Sequence, residues 1–298
     1  MVAFEKTNRL KVFNGNRLIE MIRLPEANPD IPEPGSDGTM VTFHFLCEYP
    51  SMLKNFVRAL LKRRGLQILR SHEMPFGHDW CVDITYFARH SGRYEVTTCF
   101  DVGANLGQTA ERLVRVFPEA DVYSFEPVPE TFEQLKKHVT DYRHVRPFNL
   151  GMSDKVEQSR MFLADASGRN RVGSDELEGG VSVQLNTLDY FCQTQSVHHI
   201  NLLKIDVEGH EMQVLRGAEG LLRNRRIDFV VCECDFVPRP DEPHGDFYTL
   251  VPFLQSFGFR IVSLYTGGVD DQGWRWGDVL FALPSAMAGS SVACSPLQ

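Results

Sequence analysis

Apolar residues along most of the chain fall into short runs that alternate with amphipathic stretches, and from about residue 96 the alternation is regular. VTTCFD (96–101), DVYSFE (121–126), HVRPFNL (144–150), INLLKID (200–206), IDFVVCE (227–233), FRIVSLY (259–265) and VLFALP (279–284) read as strands. The near-continuous apolar run IDFVVCE has the composition of a strand buried on both faces. GQTAERLVRVF (107–117) reads as an amphipathic helix halted by Pro118, and PETFEQLKKHV as one opened by Pro129 at its first position. Residues 210–223 read as a third helix, with Met212, Val214, Leu215, Ala218, Leu221 and Leu222 on its buried face. DFYTLVPFLQSFG (246–258) reads as a fourth, ended by Gly258. Such alternation predicts βαβ units in a doubly wound, mostly parallel α/β sheet. Residues 152–186 interrupt it. There SDKVEQSRMFLAD and VSVQLNTLDYF look extended and flank a polar, glycine-rich stretch, which predicts an inserted hairpin with a long loop.

The upstream part has another character. VTFHFLCEY (41–49) reads as a strand and Met52–Arg64 as a helix, with Lys62, Arg63 and Arg64 as cations at its C-terminus. PEANPDIPEPGSDG (25–38) reads as a linker, and residues 9–24 are too few for a domain of their own. The 298 residues therefore divide into an N-terminal region, 1–95, a candidate substrate cap, and an α/β domain, 96–298. A net charge of −8 weighs against broad nucleic-acid binding, which needs clustered Lys and Arg. The sequence holds no apolar run long enough to span a membrane, and its N-terminus has no secretory core, so a cytoplasmic protein is expected. Seven cysteines without paired spacing read as reduced thiols. Nothing in the pattern sets an oligomeric state.

The segment richest in chemistry is CFDVGANLGQTAERL. A strand ends in Asp101, then Gly103, Ala104, Asn105 and Gly107 make a tight turn, and a helix starts at once. Backbone N–H groups in such a turn approach a ligand closely. Three residues separate Gly103 and Gly107, so the turn does not fit the dinucleotide spacing G-x-G-x-x-G, and an NAD-linked oxidoreductase is disfavoured. The next strand ends in Glu126, nineteen residues past Gly107, where an acid accepts hydrogen bonds from ribose hydroxyls; the plainer reading is a solvated strand-end carboxylate.

Four motifs in order, D-V-G-A-N-x-G, F-E-P, N-L-G-M-S-D and L-L-K-I-D-V-E-G-x-E followed by V-L-R-G-A-x-x-L-L, resemble the FkbM family of S-adenosylmethionine-dependent methyltransferases over about residues 96–284. The resemblance implies a seven-stranded, Rossmann-like methyltransferase sheet of order 3-2-1-4-5-7-6. It also implies O-methylation of a hydroxyl on a sugar or natural product, with a small-molecule or glycan acceptor. Asp101, Gly103, Ala104, Asn105 and Gly107 would then hold the methionine end of S-adenosylmethionine, and Glu126 its ribose. Asn149, Leu150, Gly151, Ser153 and Asp154 would lie at the adenine. Asp206, Glu208 and His210 would face the methyl group as catalytic candidates; in the plainer reading Glu208 and Glu211 merely favour a helix N-terminus. No metal is expected, although Asp206, Glu233 and Asp235, ending neighbouring strands, form an alternative Mg²⁺ cage. A non-catalytic module of the same fold is the second rival. His72, His78, Asp79, Asp83 and His90 precede the first motif, where related folds often build a lid; the plainer reading of each histidine singly is a surface or core-satisfied side chain. Trp274 and Trp276, with Tyr265, read as core or rim, with a sugar-stacking platform as the other reading.

Overall fold

The computed structural model describes residues 2–5, 9–14, 17–23, 76–91, 95–162, 171–173, 180–237, 245–271 and 273–287. The strand expected at 41–49, the helix Met52–Arg64, the linker and His72 lie outside these residues. The chain forms two compact units, Met1–Met74 and Pro75–Gln298. In the first, β1 (Val2–Glu5), β2 (Arg9–Asn14) and β3 (Arg17–Arg23) make an antiparallel meander.

The second unit opens with α1 (Trp80–Ser91), a helix that the sequence reading did not anticipate. Trp80, Cys81, Ile84 and Phe87 recur at helical spacing and are buried in one of the two cores of this unit. That packing puts the division between units at Met74 and Pro75 rather than at the change of pattern near residue 96.

A seven-stranded sheet follows. Its members are β4 (Thr98–Val102), β5 (Asp121–Phe125), β6 (Val145–Phe148), β11 (Ile200–Ile205), β12 (Ile227–Asp235), β13 (Arg260–Asp270) and β14 (Gly273–Ala282). Their spatial order is β13-β14-β12-β11-β4-β5-β6, which, read from the β6 end with these strands alone counted along the chain, is 3-2-1-4-5-7-6. β4, β5, β6, β11 and β12 are parallel, and β14 runs against both its neighbours. Helices cover both faces: α2 (Gln108–Val116), α3 (Pro129–His138), α4 (Leu188–Thr194), α5 (Glu211–Arg216), α6 (Glu219–Arg223), α7 (Phe247–Ser256) and α8 (Pro284–Met287). Both faces of the central strands are accordingly apolar, and every residue of β11 is buried.

The interruption at 152–186 is a smaller sheet of β7 (Gly151–Met152), β8 (Glu157–Phe162), β9 (Arg171–Gly173) and β10 (Val181–Asn186), ordered β7-β10-β8-β9. β8 and β10 pair antiparallel as a hairpin. Three local expectations change. LDYF, expected extended, begins α4, because the Thr187 hydroxyl caps the Tyr190 N–H. The single helix expected over 210–223 is two short ones, broken at Gly217, where a β-carbon would come within 1.9 Å of the Ser153 carbonyl oxygen. The last two strands extend into a long hairpin that takes in Trp274 and Trp276. No described helix is long and apolar enough to cross a membrane.

Candidate active site

The register of the large sheet carries the site. Residues side by side on neighbouring strands share a face, as do residues two apart on one strand. Asp101 lies beside Lys204, Lys204 beside Val231, and Val231 beside Leu280. Two residues further toward the C-terminal edge of the parallel strands lie Gly103, Asp206, Glu233 and Asp278, with Glu233 beside Asp278 and Asp278 beside Tyr265. The Gly103 N–H to Phe125 carbonyl bond and the Asp206 N–H to Val102 carbonyl bond extend the ladders one step and bring Glu126 to the end of the same row. Residues far apart in the chain thus form one line along the edge where open α/β sheets bind ligands.

The turn after β4 is held as its glycine demands. Gly103 has φ +85°, and a β-carbon there would lie 1.8 Å from the Asp206 carbonyl oxygen. Asn105 also sits in the left-handed region, and its N–H donates to Glu126 Oε2 at 3.1 Å. The Val128 N–H donates to Oε1 at 3.0 Å. Each oxygen of Glu126 therefore accepts one backbone bond and retains a second acceptor position. Burial raises the pKa of this carboxyl group. Asp101 is 1% exposed and its Oδ2 has no hydrogen-bond partner. Burial pushes its pKa up to about 7, against the pull of Lys204.

The segment 149–154 splits in role. Asn149 Nδ2 donates to the carbonyls of Glu126 and Pro127, so its side chain braces the end of β5. The Leu150 N–H returns to Phe148, and Gly151 pairs in the smaller sheet. Ser153 is buried, and its hydroxyl lies 2.9 Å from His210 Nε2 and 3.3 Å from Asp154 Oδ1. A hydroxyl that gives its one proton to Asp154 accepts from His210, which places the imidazole proton on Nε2. Burial lowers the His210 pKa, with Asp154 and Glu157 opposing. His210 thus stands with Ser153 and Asp154, not with the carboxylates at the end of β11.

Those carboxylates surround a buried cation. Lys204 Nζ donates to Asp278 Oδ1 at 2.9 Å and to Asp206 Oδ2 at 3.4 Å. Burial disfavours its charge, but Asp206 and Asp278 outweigh that and raise its pKa. Burial likewise opposes charge on Asp206, yet Lys204 and a hydrogen bond from Glu233 hold its pKa below the usual range. Glu233 takes the opposite course: burial and the bond to Asp206 push it up to about 10. Of the pair, Glu233 is thus the carboxyl whose charge the site disfavours, and Asp206, beside Lys204, the one whose charge it favours. Glu208, exposed with φ +54°, adds to the field at Glu233. Glu211 is buried and accepts from the Gly209 N–H at 2.9 Å, which stabilises the turn into α5. Lys204 and Asp278 were missed as site residues by sequence reasoning. Lys204 was visible two residues before Asp206, but no local signal joins Asp278 to either.

Of the lid candidates, Asp83 is buried and accepts from the Tyr265 hydroxyl at 2.6 Å and from the Gly77 N–H. This fixes Tyr265 in the core of the unit, away from any platform. His78 is exposed, Asp79 pairs with Arg112, and the His90 side chain lies outside the described residues. Among the described residues no group of three His, Cys, Asp or Glu has the arrangement to hold a metal ion.

Comparison with known proteins gives the family. The chain is 31% identical over 137 residues to the hexuronic acid methyltransferase AglP of Haloferax volcanii, matching 45% of this chain and 54% of that protein's length. It is 24% identical over 197 residues to the 2-O-methyltransferase NoeI of Sinorhizobium fredii, covering 60% of this chain and 76% of NoeI. Among solved structures it aligns with fibrillarin of Aeropyrum pernix bearing S-adenosylmethionine, at 16% identity and TM-score 0.38, over 66% of this chain and 74% of that one. A sequence model of the methyltransferase FkbM domain matches residues 101–261, more than half of the chain, and the protein belongs to this family of S-adenosylmethionine-dependent methyltransferases.

Proposed function

We propose that this protein transfers the methyl group of S-adenosylmethionine to a hydroxyl oxygen of a sugar or a related natural product. The observation that carries the reading is the place of Asp206, which accepts from buried Lys204 at 3.4 Å on the same sheet row as Gly103 and Glu126. The names of AglP and NoeI, which describe a hexuronic acid methyltransferase and a 2-O-methyltransferase, support an oxygen acceptor on a carbohydrate.

The residues fit the cofactor. Asp101 Oδ2, buried and unpartnered, suits the amino group of its methionine end, and arrival of that cation lowers the Asp101 pKa again. Gly103, Ala104, Asn105 and Gly107 supply a turn that side chains do not fill. Glu126 has acceptor positions left for two ribose hydroxyls. Ser153, Asp154 and His210 would offer polar groups to the adenine, alongside Leu150 and Gly151. When bound, the cofactor supplies a methyl group already activated by a positive sulfonium. The chain's part is to orient the acceptor and exclude water. Asp206 accepts a hydrogen bond from the acceptor hydroxyl and aims an oxygen lone pair. With its lowered pKa it is a weak base, so it takes the proton only as positive charge builds on the oxygen.

Methyl-labelled S-adenosylmethionine, offered with a panel of pyranosides, polyols, phenols, carboxylates and amines, tests this. The expected product is a base-stable methyl ether, and Asp206→Asn slows its formation. A base-labile ester or a methylated amine would refute O-methylation of hydroxyls. Tight cofactor binding with no product from any acceptor would favour the non-catalytic module. A melting-temperature rise with NAD but not with S-adenosylhomocysteine would return the oxidoreductase reading.

A further inference from the structure

We infer that Trp276 is a stacking platform for a pyranose ring of the acceptor, a deepening that rests on the acceptor hydroxyl lying at Asp206. The indole lies over two consecutive residues that have no side chains. A β-carbon on Gly267 would come within 2.1 Å of its Cζ3, and one on Gly268 within 2.4 Å of its Nε1. Both rings of the indole are therefore seated on bare backbone of β13, and the side chain remains 39% exposed. A core tryptophan hides both faces. One that is bedded on glycine and open to solvent presents a flat apolar surface already fixed in orientation.

Its place in the sheet says what that surface meets. Trp276 is the cross-strand neighbour of Asp235 and lies two residues from Asp278 on β14, on the face that carries Asp278, Glu233 and Asp206. Two residues of strand span roughly 7 Å. A hexose ring resting on the indole thus has the carboxyl group of Asp278 two residues along the same strand, on the face that continues through Glu233 to Asp206. A pyranose is apolar on its C–H faces and lined with hydroxyl donors around its rim. The indole covers the first, and Asp235 and Asp278, on the same face, offer carboxyl oxygens to the second. Trp274, 47% exposed, packs against Phe236 with ring centroids 5.7 Å apart and has no such glycine bed.

Saturation-transfer NMR on the full chain, saturated with S-adenosylhomocysteine, tests the platform without requiring turnover. Methyl β-D-glucopyranoside and methyl α-D-glucuronopyranoside are the probes, and 5-fluorotryptophan labelling reports on the ring. Saturation transfer to the C–H protons of a pyranoside is expected, with a shift of the Trp276 fluorine signal and none at buried Trp80. Trp276→Ala should abolish transfer and weaken pyranoside binding about tenfold, while Trp276→Phe retains most of it. Gly267→Ala, which displaces the indole, should act like Trp276→Ala. Unchanged affinity for S-adenosylhomocysteine shows that each variant is folded. Absence of transfer in the wild-type protein, or transfer undiminished in folded Trp276→Ala, overturns the platform. Methyl transfer to hydroxyls that is indifferent to Trp276 removes the platform alone. Pyranoside binding that needs Trp276 without methyl transfer keeps the platform and removes the catalytic reading.

Discussion

Replacing Gly103 with alanine probes the point where cofactor turn and acceptor carboxylate meet. The residue has φ +85°, a conformation that costs an L side chain roughly 1–2 kcal/mol. The added methyl would stand 1.8 Å from the Asp206 carbonyl oxygen and 2.7 Å from its carbonyl carbon. These are backbone atoms, so no rotamer change relieves the overlap. β4 and β11 must separate at their C-terminal ends, where the Asp206 N–H to Val102 bond of 2.9 Å now ties them. Overpacking of this kind costs about 1–3 kcal/mol, for a total of roughly 2–5 kcal/mol. At roughly 2–4 °C per kcal/mol for a domain of this size, the melting temperature should fall by about 4–20 °C. Because Asp206 moves with the displaced carbonyl, cofactor affinity and turnover should fall together, more than stability alone explains. Calorimetric melts and titration with S-adenosylhomocysteine measure both. A Gly103→Ala protein that melts within a degree or two of wild type and binds cofactor equally well would refute the close-approach argument.

Glu126→Ala should weaken S-adenosylmethionine by about 1.5–3 kcal/mol, the range for hydrogen bonds to a charged group, and unchanged affinity by calorimetry removes the ribose assignment. Glu233→Gln keeps a neutral donor to Asp206. In the wild type the raised Glu233 pKa gives stability that is present at low pH and drains away as pH rises from the ordinary carboxylate range toward about 10. The variant should therefore melt higher than wild type at pH 8–9, and equal melting curves there contradict the shared proton. Asp206, whose pKa is lowered, contributes in the reverse sense, stability being lost as pH falls through its folded value. EDTA should leave turnover intact, because Lys204 already supplies the positive charge among Asp206, Asp278 and Glu233 that a cation would bring. Loss of activity in EDTA with recovery in Mg²⁺ would show a metal site instead.

Local pattern along the chain was enough for some parts of the fold. Continuous apolar runs separated by amphipathic stretches demand strands buried on both faces between helices, which is why β4, β5, β11 and β12 were readable. Glycines beside Asp101, and the acid at Glu126, marked the ligand edge, because a tight strand–turn–helix leaves a chemical trace in consecutive residues. The place of β14 between β12 and β13 was implied by the family resemblance, not by periodicity, and its antiparallel direction came only from the fold, since pairing direction leaves no mark in a single strand. Whatever depends on register came from the packed fold. It joined Asp278 to Lys204 across 74 residues and set Glu233 in the row beside Asp206, which raises the Glu233 pKa. It moved His210 to Ser153, and it seated Trp276 on Gly267 and Gly268. It also divided the helix at Gly217 and made one of LDYF, because a neighbouring carbonyl and the Thr187 cap outweigh the local pattern. Electrostatic coupling acts over a few ångströms of space, and sequence separation carries almost no information about it.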